Sequence, residues 1–121
     1  MKTAAQAYGS VAKQTANPRE LEVQLLLRAA SRLQAVHDDW ERERAALDQA
    51  LHYNRKLWTI FLTSVTSGDN PLPAEIRQNV ANLGLFVLNQ TLSVMGNPQR
   101  ESLPSLININ REVAAGLRSG A

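Results

Sequence analysis

Apolar residues recur at steps of three and four through most of the chain, and no segment alternates long enough to predict a strand. The first clear helical run opens at Asn17-Pro18-Arg19-Glu20. Asn17 suits an N-cap, Pro18 the first helical position, and Glu20 the place of a capping-box carboxylate. The stripe behind it reads Leu21, Leu25, Ala29, Leu33, Val36. From His37 to Arg44 the chain turns charged, and a break is expected there. The rival is one continuous rod. Trp40, Leu47, Leu51, Asn54, Trp58, Phe61 and Val65 carry the stripe on almost in phase, with no Gly or Pro between. A rod of about 48 residues would span roughly 70 Å, more than so small a domain can cover, which favours the break.

The second helix is expected to close at Thr66-Ser67-Gly68, with Gly68 in the left-handed conformation that ends many helices. Asp69-Asn70-Pro71-Leu72-Pro73 reads as a stiff turn. Either Asn70 caps a helix starting at Pro71, or the helix starts at Pro73. In both cases Glu75 falls in its first turn, where the helix dipole favours a carboxylate. This helix runs to about Met95 and stops at Gly96-Asn97-Pro98. Ser102 caps a last helix with Pro104 in its first turn and the stripe Leu103, Ile107, Asn110, Ala114, Leu117; from Arg118 onward it frays. Residues 1–16 carry a loose stripe of Ala4, Tyr8, Val11 and Thr15, weakened by Gly9 and Ser10, and read as an arm or short helix. The expected fold is all-α, a compact bundle of four to five helices forming one domain over residues 1–121.

Composition supports a globular chain: 44% of the 121 residues are apolar and 20% are charged. The net charge of +2 and the sequence pI near 9.4 reflect a small excess of base over a balanced background. Basic and acidic side chains are equal in number between Arg19 and Lys56. A phosphate-tracking surface wants a patch of one sign, so nucleic acid is not the expected partner. The absence of cysteine excludes disulfides, thiolate metal sites and cysteine catalysis. MKTAAQAYGS is followed by no apolar run, so neither a signal peptide nor a membrane span is expected, and the chain reads as cytoplasmic.

Asparagines are the unusual feature. Asn79, Asn82, Phe86 and Asn89 share one helix face, with Val80, Leu83, Leu85, Val87 and Leu88 assigned to the other side. Asparagine is a mediocre helix former. Three readings stay open for this face: plain solvent exposure, internal wiring, or a polar seam for a partner. Phe86 in its middle argues against plain exposure. Gly84 lies mid-helix, either merely tolerated or marking the close approach of a neighbour. Asn110 interrupts an apolar stripe, as a register-setting polar residue does in a helix seam; a buried hydrogen bond is its expected use. Trp40, Tyr53, Trp58 and Phe61 cluster, mostly as core, but so small a domain is expected to leave one or two partly open for a helix-in-groove contact.

Evidence for catalysis is thin. His37 and His52 meet only by tertiary accident, and a metal needs three or four convergent ligands. Asp38, Asp39, Glu41 and Glu43 interleave with Arg42 and Arg44 as in an ordinary solvated helix entry. No nucleophile elbow, glycine-rich phosphate loop or HExxH occurs. The chain is expected to be a binding protein, not an enzyme, and to need no cofactor. The expected partner-binding residues are Tyr53, Trp58, Phe61, Asn79, Asn82 and Phe86.

Four segments resemble one known family: NPRELEVQLLLRAASRLQ (Asn17 to Gln34), LDQALHYNRKLWTIFLTSV (Leu47 to Val65), NPLPAEIRQNVANLGLFVLNQTL (Asn70 to Leu92) and LININREVAAGLR (Leu106 to Arg118). They resemble FlaF, the flagellar biosynthesis regulators of alphaproteobacterial type, and the third segment is the most specific. The resemblance implies a cytoplasmic protein that promotes flagellin synthesis in opposition to another regulator, FlbT, and chaperones flagellin before export. It implies flagellin as partner, held by its terminal segments, which become amphipathic helices. Two other roles stay open: an RNA-binding regulator of flagellin mRNA, favoured by the pI and by Arg28, Arg32, Arg55 and Arg77, and an adaptor for FlbT. The family has no catalytic motif to carry over.

Overall fold

The computed structural model describes residues 18–119. The expected N-terminal arm, the Asn17 cap and the last two residues lie outside them. Four helices make the fold: α1 (Pro18–Asp38), α2 (Leu47–Val65), α3 (Ala74–Gly96) and α4 (Leu103–Ser119). Among the described residues there is no strand. α1 packs along α4 and also against α2, and α2 packs along α3, while α3 and α4 touch little. The helices thus follow one another around the bundle as α4, α1, α2, α3, and the seam between α3 and α4 is the thin one.

The break between α1 and α2 is real and falls at Asp39. Its backbone leaves helical geometry (φ −137°, ψ 59°), and a one-turn helix (Trp40–Glu43) and a 3-10 turn (Arg44–Ala46) follow. Asp38 and Asp39 place carboxylates where the α1 dipole is negative, a poor position for them. The Arg100 side chain holds the end of α1 in place, its Nε donating to the His37 carbonyl at 2.8 Å. The two halves then fold back on each other as neighbours in the bundle.

Gly68 departs from expectation. α2 ends at Val65, and Gly68 does not take the left-handed conformation. The Thr66 hydroxyl donates to the carbonyls of Leu62 and Thr63, and its N–H donates to Leu62. With those carbonyls occupied, the helix needs no glycine cap. In the next turn the Asn70 side-chain oxygen accepts from the Leu72 N–H at 2.9 Å and its amide donates to Ser64. Asn70 therefore shapes the loop, and Pro73 occupies the N-cap position of α3 (φ −55°, ψ 147°). At the far end α4 stays helical through Ser119. Arg118 is held by a two-point ion pair to Glu20 at the start of α1, where fraying was expected.

The core is built mainly by α1, α2 and α4. α1 buries Val23, Leu26 and Ala30 beyond the expected stripe, because α4 and α2 cover it from two sides. The α4 stripe is buried as expected, with Leu106 added. α3 differs. It buries only Gly84, Val87, Thr91 and Val94, although it is the most apolar of the four.

Candidate functional site

A chain of hydrogen bonds crosses the centre of the bundle. The Trp58 indole N–H donates to Asn110 Oδ1 at 2.8 Å. The Asn110 amide donates to Asn54 Oδ1 at 2.7 Å, and the Asn54 amide to the Thr91 hydroxyl at 3.4 Å. Thr91 in turn donates to the Val87 carbonyl at 2.6 Å. Asn54, Asn110, Trp58 and Thr91 are fully buried. The chain ties α2 to α4, its diagonal neighbour, and to α3. A buried amide without a partner costs about 1–3 kcal/mol, so the network admits one helix register. Asn110 is used as its place in the stripe foretold; Thr91 gave no signal, being one threonine among several.

The six residues expected to bind a partner do not converge. Trp58 is in the network, and Phe61 packs on it edge-to-face at 5.8 Å; both are interior. As partner contacts they are corrected: their surfaces are already covered by the core. Tyr53 is half-buried beneath the Arg32 guanidinium, 4.4 Å from the ring centre. Trp40 is likewise half-buried, under Arg44. Asn79, Asn82 and Phe86 lie elsewhere, on the outward face of α3, and all are exposed. The six therefore do not edge one groove.

That outward face is the unusual surface of the molecule. It carries Asn79, Asn82 and Asn89 with Leu85, Phe86 and Leu92, and the three apolar side chains are 50–55% exposed. Leu85 belongs to this face, not to the opposite side where the sequence reading put it. From Gln78 to Gln99 the chain has no charged residue. The other helices show solvent the usual charges: Arg28 and Arg32 on α1, Arg55 and Lys56 on α2, Arg111 and Glu112 on α4. Depletion of charge beside exposed aromatic and aliphatic groups marks surfaces that other proteins cover. The sequence contained this signal as an absence, a long uncharged run, which a search for motifs passes over. The neighbouring amides are only loosely engaged: Asn82 accepts from Gln78 along the helix at 3.0 Å.

A small apolar cleft opens at the thin seam. Leu72, Ile76 and Val80 face Val113, Gly116 and Leu117 across it, with Arg19 at its edge. Its volume is about 200 Å³, below the roughly 300 Å³ at which ligand pockets start. It takes a side chain or two, not a helix.

Gly84 faces α2. A Cβ there would sit 3.5 Å from Leu62 and from the Trp58 ring, at ordinary contact distance. The close approach is real, and it leaves room for one methyl group. Among the described residues no cluster of acidic and histidine side chains could hold a metal, and no helix is long and apolar enough to cross a membrane.

No curated protein and no solved structure matches the chain. One family model does, that of the flagellar protein FlaF, over residues 4–117. With nearly the whole length matched, and an all-α bundle of the expected kind, the chain belongs to the FlaF family of flagellar proteins.

Proposed function

We propose that this protein acts by binding, as a cytoplasmic chaperone that holds a helical terminal segment of flagellin on the outward face of α3 and so promotes flagellin production. The observation that carries the reading is the uncharged, half-apolar surface of Asn82, Leu85, Phe86, Asn89 and Leu92 on an otherwise charged molecule. An amphipathic segment laid along α3 would bury its apolar stripe on Leu85, Phe86 and Leu92. The asparagine amides would meet its polar edge. A client disordered before capture would order as it binds, which lowers affinity for a given area and eases later release. Direct action on RNA has less support. A phosphate chain would find no cation on this face.

Titration of the purified full chain with flagellin, and with flagellin lacking either terminus, tests the reading. Binding is expected to be lost with one terminus and to change little with added salt, since no charge faces the client. Intact binding by flagellin lacking both termini would sink it. So would an affinity that collapses as salt rises.

A further inference from the structure

The outward face of α3 has a second property: it matches itself. When two copies of a helix meet antiparallel about a two-fold axis, residue i of one faces residue j of the other with i + j constant. Let the axis pass between Leu85 and Phe86. Leu85 then faces Phe86 of the second copy, Asn82 faces Asn89, and Asn79 faces Leu92. The exposed positions map onto one another, apolar on apolar at the centre and amide on amide in the next layer. No charge enters the contact, because none exists between Gln78 and Gly96. A charged partner surface would be desolvated here without compensation, so the occupant must itself offer an uncharged helix face. Among the described residues α1, α2 and α4 all present charge outward. Of the four described helices, α3 alone meets the requirement.

We propose that this face pairs with the same face of a second copy of the chain, antiparallel, about an axis between Leu85 and Phe86. The contact is short. From Asn79 to Leu92 α3 advances about 20 Å, and one helix pair of that length buries less than the roughly 800 Å² per partner of a standard interface. The dimer is therefore weak and exchanging. If flagellin uses the same face, a consequence that rests on the reading above, dimer and client-bound forms exclude each other. The free protein then keeps its apolar strip covered until a client displaces the second copy.

Sedimentation of the full chain over a concentration series tests the pairing. The parent chain should pass from monomer to dimer with a midpoint on the order of tens of micromolar. Phe86→Glu brings two carboxylates together beside the axis and should remain monomeric, with its helical signal and melting temperature kept. Register is tested by paired changes. Asn82→Lys with Asn89→Lys sets like charges opposite each other and should abolish association. Asn82→Asp with Asn89→Lys sets opposite charges across the axis and should restore it to at least the parent's strength, in a salt-sensitive way. A parent chain that stays at 13.3 kDa into the millimolar range overturns the proposal. So does a Phe86→Glu dimer as tight as the parent's, or identical behaviour of the two double variants. Flagellin titration at a protein concentration below the dimer midpoint keeps the two readings apart. Client binding without dimerisation defeats the pairing alone, and dimerisation without client binding defeats the chaperone reading alone.

Discussion

Asparagine serves two opposite purposes in this molecule. In the interior, Asn54 and Asn110 sit at 0% exposure with their amides linked to each other and to Trp58 and Thr91. On the outward face of α3, Asn79, Asn82 and Asn89 stand in solvent beside exposed Leu85 and Phe86. The same side chain is a lock in one place and an open valence in the other. Inside, the low dielectric makes every amide demand a partner, and the demand fixes how α2, α3 and α4 meet. Outside, water satisfies the amides, so they leave the fold unconstrained and remain available to another helix. Polar residues in an apolar helix therefore need two questions, where the helix lies and which side is covered, before they can be assigned a task.

The contrast breaks most visibly at Asn110. Asn110→Ala strands the Trp58 N–H and the Asn54 oxygen and opens a cavity, so unfolding in urea should show a loss of about 3–5 kcal/mol. That is a large part of the 5–15 kcal/mol typical of a domain. Asn82→Ala should lose nothing measurable in the same experiment. A comparable loss at both positions would erase the distinction.

On the client side the order reverses. Phe86→Ala should weaken flagellin binding at least tenfold while leaving the melting temperature in place, as expected for a central aromatic contact. Asn82→Ala should weaken it by a smaller factor. A Phe86→Ala variant that binds as tightly as the parent would move the client elsewhere.

Gly84 sharpens the comparison from the covered side of α3. An alanine methyl fits against Leu62 and Trp58 at 3.5 Å, and it restores helix propensity. Gly84→Ala should therefore stabilise the fold by up to about 1 kcal/mol. Gly84→Leu should destabilise it, because the larger side chain overlaps the Trp58 ring.

The smallest effect is at the ion pair between Glu20 and Arg118. The Arg118 hydrogen bond, helped by Gln24, lowers the Glu20 carboxyl below its ordinary value. Its stabilisation is present above the ordinary carboxylate range and disappears as pH falls through the lowered value. Arg118→Ala should be slightly less stable than the parent at neutral pH, and the gap should close in acid. The pair lies at the surface, so the gap is small. A gap that widens in acid would mean that the pair is misassigned.

The helices, their approximate ends and the interior use of Asn110 were legible in the sequence, because period, caps and turn chemistry are local properties of the chain. The break at Asp39 was legible only through size, since no Gly or Pro marks it. Two features were hidden. The Thr66 cap displaced the expected role of Gly68 through hydroxyl bonds that α2 supplies itself. The convergence of Trp58, Asn54, Asn110 and Thr91 depends on where three helices cross.

For α3 the division is sharpest. Its sequence alone determined that it is helical, nearly apolar all round and uncharged from Gln78 onward. It left open which side turns to water, because a helix with apolar residues nearly all round has no narrow stripe to point inward. Tertiary packing decided that: α2 covers the Gly84 side, α4 hardly reaches the helix, and Leu85, Phe86 and Leu92 are left outside with the asparagines.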